Sequence, residues 1–244
     1  MDNIDLLYCN GCSFTRMAVV KDFPELEYQC PHLLAKKLGT EVINDALWNS
    51  SNARTFRKLE EFLNTFPIDP TRVFCMIQFT FPWRFEMPNH EEITDYSWRE
   101  SPHKEDWIRL NPGHFDLEKY HNKDTSLYSC VAMVPDEEND KAINEGLDKI
   151  HGKLIRYTNE VERLDLMKHV YAIKGLLDTH GCKYKFIMGD SGKSSDYLTD
   201  DFLPVTLKSL MGEETGMDNY HANQQGHIET ANKLYQYLMS DTDK

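Results

Sequence analysis

Residues 4–15 read IDLLYCNGCSFT. The segment IDLLYC, residues 4–9, is short and apolar and stops at Asn10-Gly11, which predicts a buried strand running into a tight turn. Outward from this stretch the chain alternates. Residues 31–38 (PHLLAKKL) carry a proline in the first helical turn and are followed by Gly39, so they predict a helix with a glycine stop. Residues 41–45 (EVIND) predict a second strand. Residues 52–65 place Phe56, Leu59, Phe62 and Leu63 at helical spacing, and residues 72–79 (RVFCMIQF) are apolar on both faces and rich in strand formers. Strand, helix, strand, helix, strand at this pace predicts an α/β fold with a doubly wound parallel sheet.

The rhythm breaks after residue 80. Residues 80–140 hold Trp83, Trp98 and Trp107 with many charges, several prolines and no clean period. A stretch this long is not a simple connection, and it predicts an insertion over one end of the sheet. Residues 141–180 return to helical patterning as two helices or one bent one. Within them Leu164, Met167, Val170, Tyr171, Ile173, Leu176 and Leu177 form an apolar stripe ended by Gly181. Residues 184–189 (YKFIMG) predict a strand, residues 203–211 a short helix, and residues 224–239 an amphipathic closing helix. No repeat or linker divides the 244 residues, so one domain spanning residues 1–244, with an insertion at 80–160, is expected.

Composition bounds the partners. A formal net charge of −13 opposes general affinity for nucleic acid or an anionic membrane, both of which are polyanions. No apolar run approaches the roughly 20 residues of a membrane helix, and MDNIDLLYCNG lacks the basic and apolar regions of a signal peptide. A cytoplasmic protein is expected, in the host cell if the chain is viral. The six cysteines are scattered along the chain, and His103, His114 and His121 lack fixed ligand spacing. No metal, no cofactor and no disulfide framework are expected.

Two constellations carry chemistry. Ser13 follows a glycine turn at the carboxyl end of the first strand, where open parallel sheets bind ligands, and a nucleophile there can use its own N–H toward an oxyanion. The same residues also suit an ordinary turn with a helix-capping serine. The second constellation is Asp218-Asn219-Tyr220-His221 before the final helix. An Asp three residues ahead of a His can orient the imidazole that serves a serine as base; a polar surface loop has the same composition. Cys12, next to Ser13, is a rival nucleophile.

Taken together, in order, these pieces resemble the SGNH/GDSL hydrolases. The strand-exit serine resembles their first block and D-x-x-H their fifth. EVINDALWNSSNARTFRKLEEFL resembles the second block and VFCMIQFTFPWRFE the third. GCSFT, SSN and FTFPWRFE are most similar to SGNH-like proteins encoded by bacteriophages. The resemblance covers residues 4–79 and 160–239. It implies a flavodoxin-like, three-layer α/β/α fold with a central parallel sheet of about five strands, ordered 2-1-3-4-5, and metal-free hydrolysis or transfer of an acyl group.

Carried over by position, the resemblance makes Ser13 the nucleophile, His221 the base and Asp218 the orienting acid. Asn49 or Ser50 stands where the family has a glycine that gives a backbone oxyanion donor. The third-block asparagine is absent, since that stretch reads Gln78-Phe79-Thr80. Thr80, Arg84 or the Gln78 amide would have to replace it. The implied activity is a serine-dependent esterase acting on a small-molecule or glycan O-acyl ester. A non-catalytic virion component or binding module of the same fold is the alternative. Neither the acyl group nor the oligomeric state follows from these residues.

Overall fold

The computed structural model describes residues 3–16, 26–47, 50–80, 85–88, 107–112, 130–132, 159–189, 200–212 and 222–240. A strand, β1 (Leu6–Asn10), leads through the turn at residues 11–16 and a 3-10 turn (Leu26–Tyr28) to helix α1 (Cys30–Leu38). Strand β2 (Glu41–Asn44), helix α2 (Asn52–Thr65) and strand β3 (Val73–Phe79) follow. Next come three short strands, β4 (Phe85–Pro88), β5 (Trp107–Pro112) and β6 (Cys130–Ala132). Helix α3 (Asn159–His180), strand β7 (Lys183–Met188), strand β8 (Phe202–Thr206), helix α4 (Leu207–Met211) and helix α5 (Gln224–Ser240) complete the order.

The main sheet has the order β2-β1-β3-β7-β8, and every pairing in it is parallel. In register, Leu7 lies between Val42 and Phe74, and Cys75 lies beside Tyr184. This is the five-stranded 2-1-3-4-5 arrangement expected from the sequence. Strands β4, β5 and β6 form a separate antiparallel sheet within the insertion.

Alternation along the strands sorts the core into two halves, as period-2 side-chain geometry requires. Leu6 and Tyr8 of β1 and Val73, Cys75, Ile77 and Phe79 of β3 pack against Leu59 and Phe62 of α2 and against α3. Leu7, Cys9, Phe74 and Met76 face the other way, against Leu34 and Ala35 of α1 and Ala231, Leu234 and Leu238 of α5. With helices on both faces, the architecture is three-layer α/β/α. β3 is buried at all seven positions, which explains why it reads as a continuous apolar run.

Local signals account for the element ends. Gly39 closes α1 at φ 70°, a left-handed cap that favours glycine. Ser51 caps α2, its side chain accepting from the Arg54 N–H. α1 is capped differently: Gln29 offers no side-chain bond, and the Cys30 N–H donates to Nδ1 of His227, 3.1 Å away in the first turn of α5. His227 is buried, so one imidazole fastens the start of α1 to the start of α5.

Two expectations are corrected. Residues 203–211 are not one helix: Phe202–Thr206 is the fifth strand, and only Leu207–Met211 is helical. Leu203, Leu207, Leu210 and Met211 fall at helical spacing by coincidence, and the exposed Pro204 hid a strand that tolerates it as a sheet edge. Helix α3 is one continuous element of 22 residues over the described part of 141–180. Its core face is Leu166, Val170, Ile173 and Leu177, while Leu164 and Tyr171 of the expected stripe are exposed. No helix among the described residues is long and apolar enough to cross a membrane.

Replacing His227 with Leu keeps the volume roughly constant but leaves the Cys30 N–H without its acceptor. The expected cost is about 1–3 kcal/mol of stability, read as a lower midpoint in urea denaturation with an unchanged slope.

Candidate active site

The carboxyl edge of the sheet carries a layer of buried polar side chains. Asn10, Ser13, Thr15, Ser50, Ser51, Asn52, Arg54, Gln78 and Thr80 are each at most 6% exposed. Buried polar groups need partners, and the pattern of those partners defines the site.

Ser13 sits in the turn that leaves β1. The carbonyl of Cys12 accepts from the N–H groups of both Thr15 and Arg16, each at 3.0 Å, so the backbone coils once around Ser13. Gln78 reaches this turn from β3. Its Oε1 accepts from the Cys12 N–H at 3.0 Å and from the Thr15 hydroxyl at 2.8 Å. Its Nε2 donates to Cys12 Sγ at 3.0 Å and to the Phe79 carbonyl at 3.3 Å. Two lone pairs and two hydrogens complete a carboxamide's capacity. The Gln78 amide is therefore occupied by the turn and is not the substitute oxyanion donor.

A second chain of bonds underlies the turn on its other side. The Gly11 N–H donates to Asn10 Oδ1 at 2.7 Å, Asn10 Nδ2 donates to the Tyr8 hydroxyl at 3.0 Å, and that hydroxyl donates to Asp45 at 3.0 Å. Burial, and then the Asp45 carboxylate, push the Tyr8 phenol well above its ordinary pKa, so it stays protonated and donates.

The loop after β2 is built onto these elements. Asp45 N–H donates to the Cys9 carbonyl, and Leu47 N–H to the Gly11 carbonyl at 3.1 Å. Buried Arg54 donates from Nη1 to the Asp45 carbonyl at 2.7 Å. Asn52, in the first turn of α2, pairs reciprocally with the backbone where β3 ends: Nδ2 donates to the Thr80 carbonyl at 3.1 Å and Oδ1 accepts from the Thr80 N–H at 2.9 Å. The structure thus brings the Ser13 turn, the loop ending at Ser50 and the Thr80 position to one edge of the sheet.

Of the residues singled out from sequence, Ser13, Ser50 and Thr80 belong to this buried layer. The Ser50 N–H donates to the Leu47 carbonyl at 3.1 Å within its own loop. Asn49, Arg84, Asp218 and His221 lie outside the described residues, as do the side chains of the insertion's tryptophans. Cys12 is fully buried, and the Gln78 amide donates to its sulfur at 3.0 Å. Burial also pushes the Cys30 thiol up to about 12 and Cys9 well above the usual range, as expected of inert core thiols. Among the described residues no three His, Cys, Asp or Glu side chains converge as metal ligands would. The cavity between Cys9, Thr15, Cys30 and Leu34 is apolar and has room, at about 10 Å³, for no more than one water.

Sequence reading did not foresee Asn52 or Arg54. Their signal was weak, a polar triplet and a basic residue at the start of a helix. Asn52→Ala is expected to remove the bonds to both Thr80 backbone groups and to cost on the order of 2–4 kcal/mol, measured by urea denaturation. Asn52→Asp, which keeps the acceptor for the Thr80 N–H, should keep more stability at acidic pH, where its carboxyl is neutral.

No protein-family model and no curated protein sequence matches the chain. Solved structures do. The psychrotrophic esterase EstA from Pseudoalteromonas sp., in a form inhibited by monoethylphosphonate, aligns over 98% of this chain and 100% of its own, with a TM-score of 0.52 and 9% identity. A member of the lipolytic protein G-D-S-L family from Veillonella parvula aligns over 96% and 98%, at TM-score 0.36 and 12% identity. A carbohydrate acetylesterase family member from Sinorhizobium meliloti aligns over 97% and 98%, at TM-score 0.35 and 13% identity. What the chain shares with EstA at this identity is its fold, a three-layer α/β/α arrangement.

Proposed function

We propose that the chain is a serine-dependent ester hydrolase that removes an O-acyl group from a small-molecule or glycan ester. The observation that carries this reading is the setting of Ser13: a serine fixed in a coiled turn at the carboxyl end of β1, inside a layer of satisfied polar groups. Substrates of open parallel sheets meet that edge. The fold shared with the esterase EstA supports the same assignment.

In this mechanism Ser13 Oγ attacks the ester carbonyl carbon while His221 takes its proton, and Asp218 holds the imidazole in the required tautomer. The tetrahedral intermediate collapses, His221 returns the proton to the departing alkoxide, and an acyl-serine remains. Water, deprotonated by His221, then releases the acyl group as its acid. The oxyanion is met by the Ser13 N–H and the loop after β2. Because the Ser50 N–H is bonded to Leu47, the loop donor assigned here is the Asn49 N–H. Thr80 stands in for the third-block asparagine, and Arg84 faces the substrate. No step calls for a metal or cofactor. The net charge of −13 opposes anionic polymers as partners. The GCSFT, SSN and FTFPWRFE signatures favour kinship with phage-encoded proteins, and one domain with an insertion at 80–160 remains the organisation proposed.

A fluorophosphonate probe followed by peptide mapping tests the assignment. Ser13 is expected to carry the label; Ser13→Ala should abolish both labelling and ester hydrolysis, and Cys12→Ala should keep most of each. Asp218→Asn should lower turnover by about 10⁴ without unfolding the protein. A folded protein that leaves the probe untouched where a control esterase reacts would instead favour a binding module built on this fold.

A further inference from the structure

We infer that Gln78 is a positioning residue for the nucleophile, its carboxamide fixing from inside β3 the direction in which Ser13 presents its hydroxyl and N–H. This inference rests on the serine-hydrolase reading above.

The starting point is an anomaly. β3 is the central strand and is buried on both faces, and a carboxamide in such a place costs desolvation that Met or Leu would not. Gln78 lies on the face of Phe74 and Met76, toward α1 and α5, where every other β3 side chain in the core is apolar. Its four bonds do not spread through that core. Three go to Cys12 and Thr15, on either side of Ser13, and the fourth returns to its own strand. Ser13 is bracketed by the contacts of one side chain.

The surroundings are shaped to admit that side chain. A Cβ on Gly11 would stand 2.6 Å from both Gln78 Cβ and Oε1, and 2.9 Å from the Thr15 hydroxyl. A Cβ on Gly189, at the end of β7, would stand 2.5 Å from Gln78 Nε2 and 3.0 Å from the Phe14 ring. Glycine at both positions lets the amide lie flat between the turn and β7. The Gly189 N–H donates to the Phe79 carbonyl, the same oxygen that takes the Gln78 amide. One side chain thereby ties the turn around Ser13 to β3 and lies close against Gly189 at the end of β7. A misplacement near 1 Å at a reacting group can cost about 10²-fold in rate, which sets the scale of what this clamp protects.

The test compares rates of Ser13 phosphonylation, and kcat and KM on p-nitrophenyl acetate, for the wild type and three variants, at temperatures where circular dichroism shows each folded. Gln78→Met should fall about 10–100-fold in labelling and kcat with KM little changed. Gln78→Glu discriminates further. A buried carboxyl takes up its proton at raised pH, and the neutral acid still accepts from Cys12 and Thr15 while donating one bond. The ratio of Gln78→Glu to wild-type rate should therefore climb as pH falls, whereas the Gln78→Met ratio stays flat. Gly189→Ala, which crowds the amide without altering it, should also slow labelling, and it decides the matter if Gln78→Met does not fold. Wild-type rates in folded Gln78→Met or Gly189→Ala, or a Gln78→Glu ratio independent of pH, would overturn the inference while leaving the hydrolase reading intact. An unlabelled wild type would overturn both.

Discussion

A carboxamide buried in the middle of a sheet must find acceptors for two hydrogens and donors for one oxygen without help from water. Gln78 meets that requirement with three bonds to the turn around Ser13 and one to the Phe79 carbonyl, and much else follows from it. The turn must pass close enough to β3 for Cys12 and Thr15 to bond, so Gly11 and Gly189 have no room for a side chain. Cys12 must point inward to receive Nε2. The strand order that sets β1 directly beside β3 is what makes the contact possible.

The same logic organises the rest of the sheet edge. Tyr8 and Asn10 hold the turn from the side of β2, Arg54 holds the loop that follows β2, and Asn52 closes the gap to Thr80. Each of these groups is neutral or already paired in its bonds, and they join β1, β2, α2 and β3 at one level. Such networks rigidify when every member is satisfied. A rigid edge suits a site that must hold a nucleophile and oxyanion donors in fixed relation before substrate arrives.

Most of the fold was legible in the sequence because its strongest signals are periodic. The fully buried β3 reads as an apolar run from Val73 to Ile77, and α2 and α5 show clean helical faces. β8 was illegible for the opposite reason: an edge strand with Pro204 and an irregular register carries little strand pattern, and Leu203 falls at helical spacing with Leu207 and Leu210 of α4. In α3, Leu164 and Tyr171 are apolar without being core, and composition alone cannot separate them from Leu166 and Val170. At the site, Ser13 was legible because a serine after a strand-end glycine is a local pattern. Gln78 drew notice only for not being asparagine. Its partners lie 63 and 66 positions away, and no local pattern encodes contacts of that range. Asn52 and Arg54 have the same character, since a polar residue's duty depends on which elements the topology sets beside it.

The bond from Cys30 to His227 has a consequence for the order of events during synthesis. The N–H that begins α1 is satisfied by a residue 197 positions downstream, so on the ribosome the first helix emerges long before its cap exists. Until residue 227 clears the exit tunnel, α1 lacks that cap and α5's share of the core beneath β1 and β3 is missing. The nascent chain up to that point exposes the apolar surface that α5 later covers, the condition under which partly made proteins aggregate or engage chaperones. Covering that surface is a late step, and a ribosome stalled before residue 227 would present this face of the sheet with α1 but without α5.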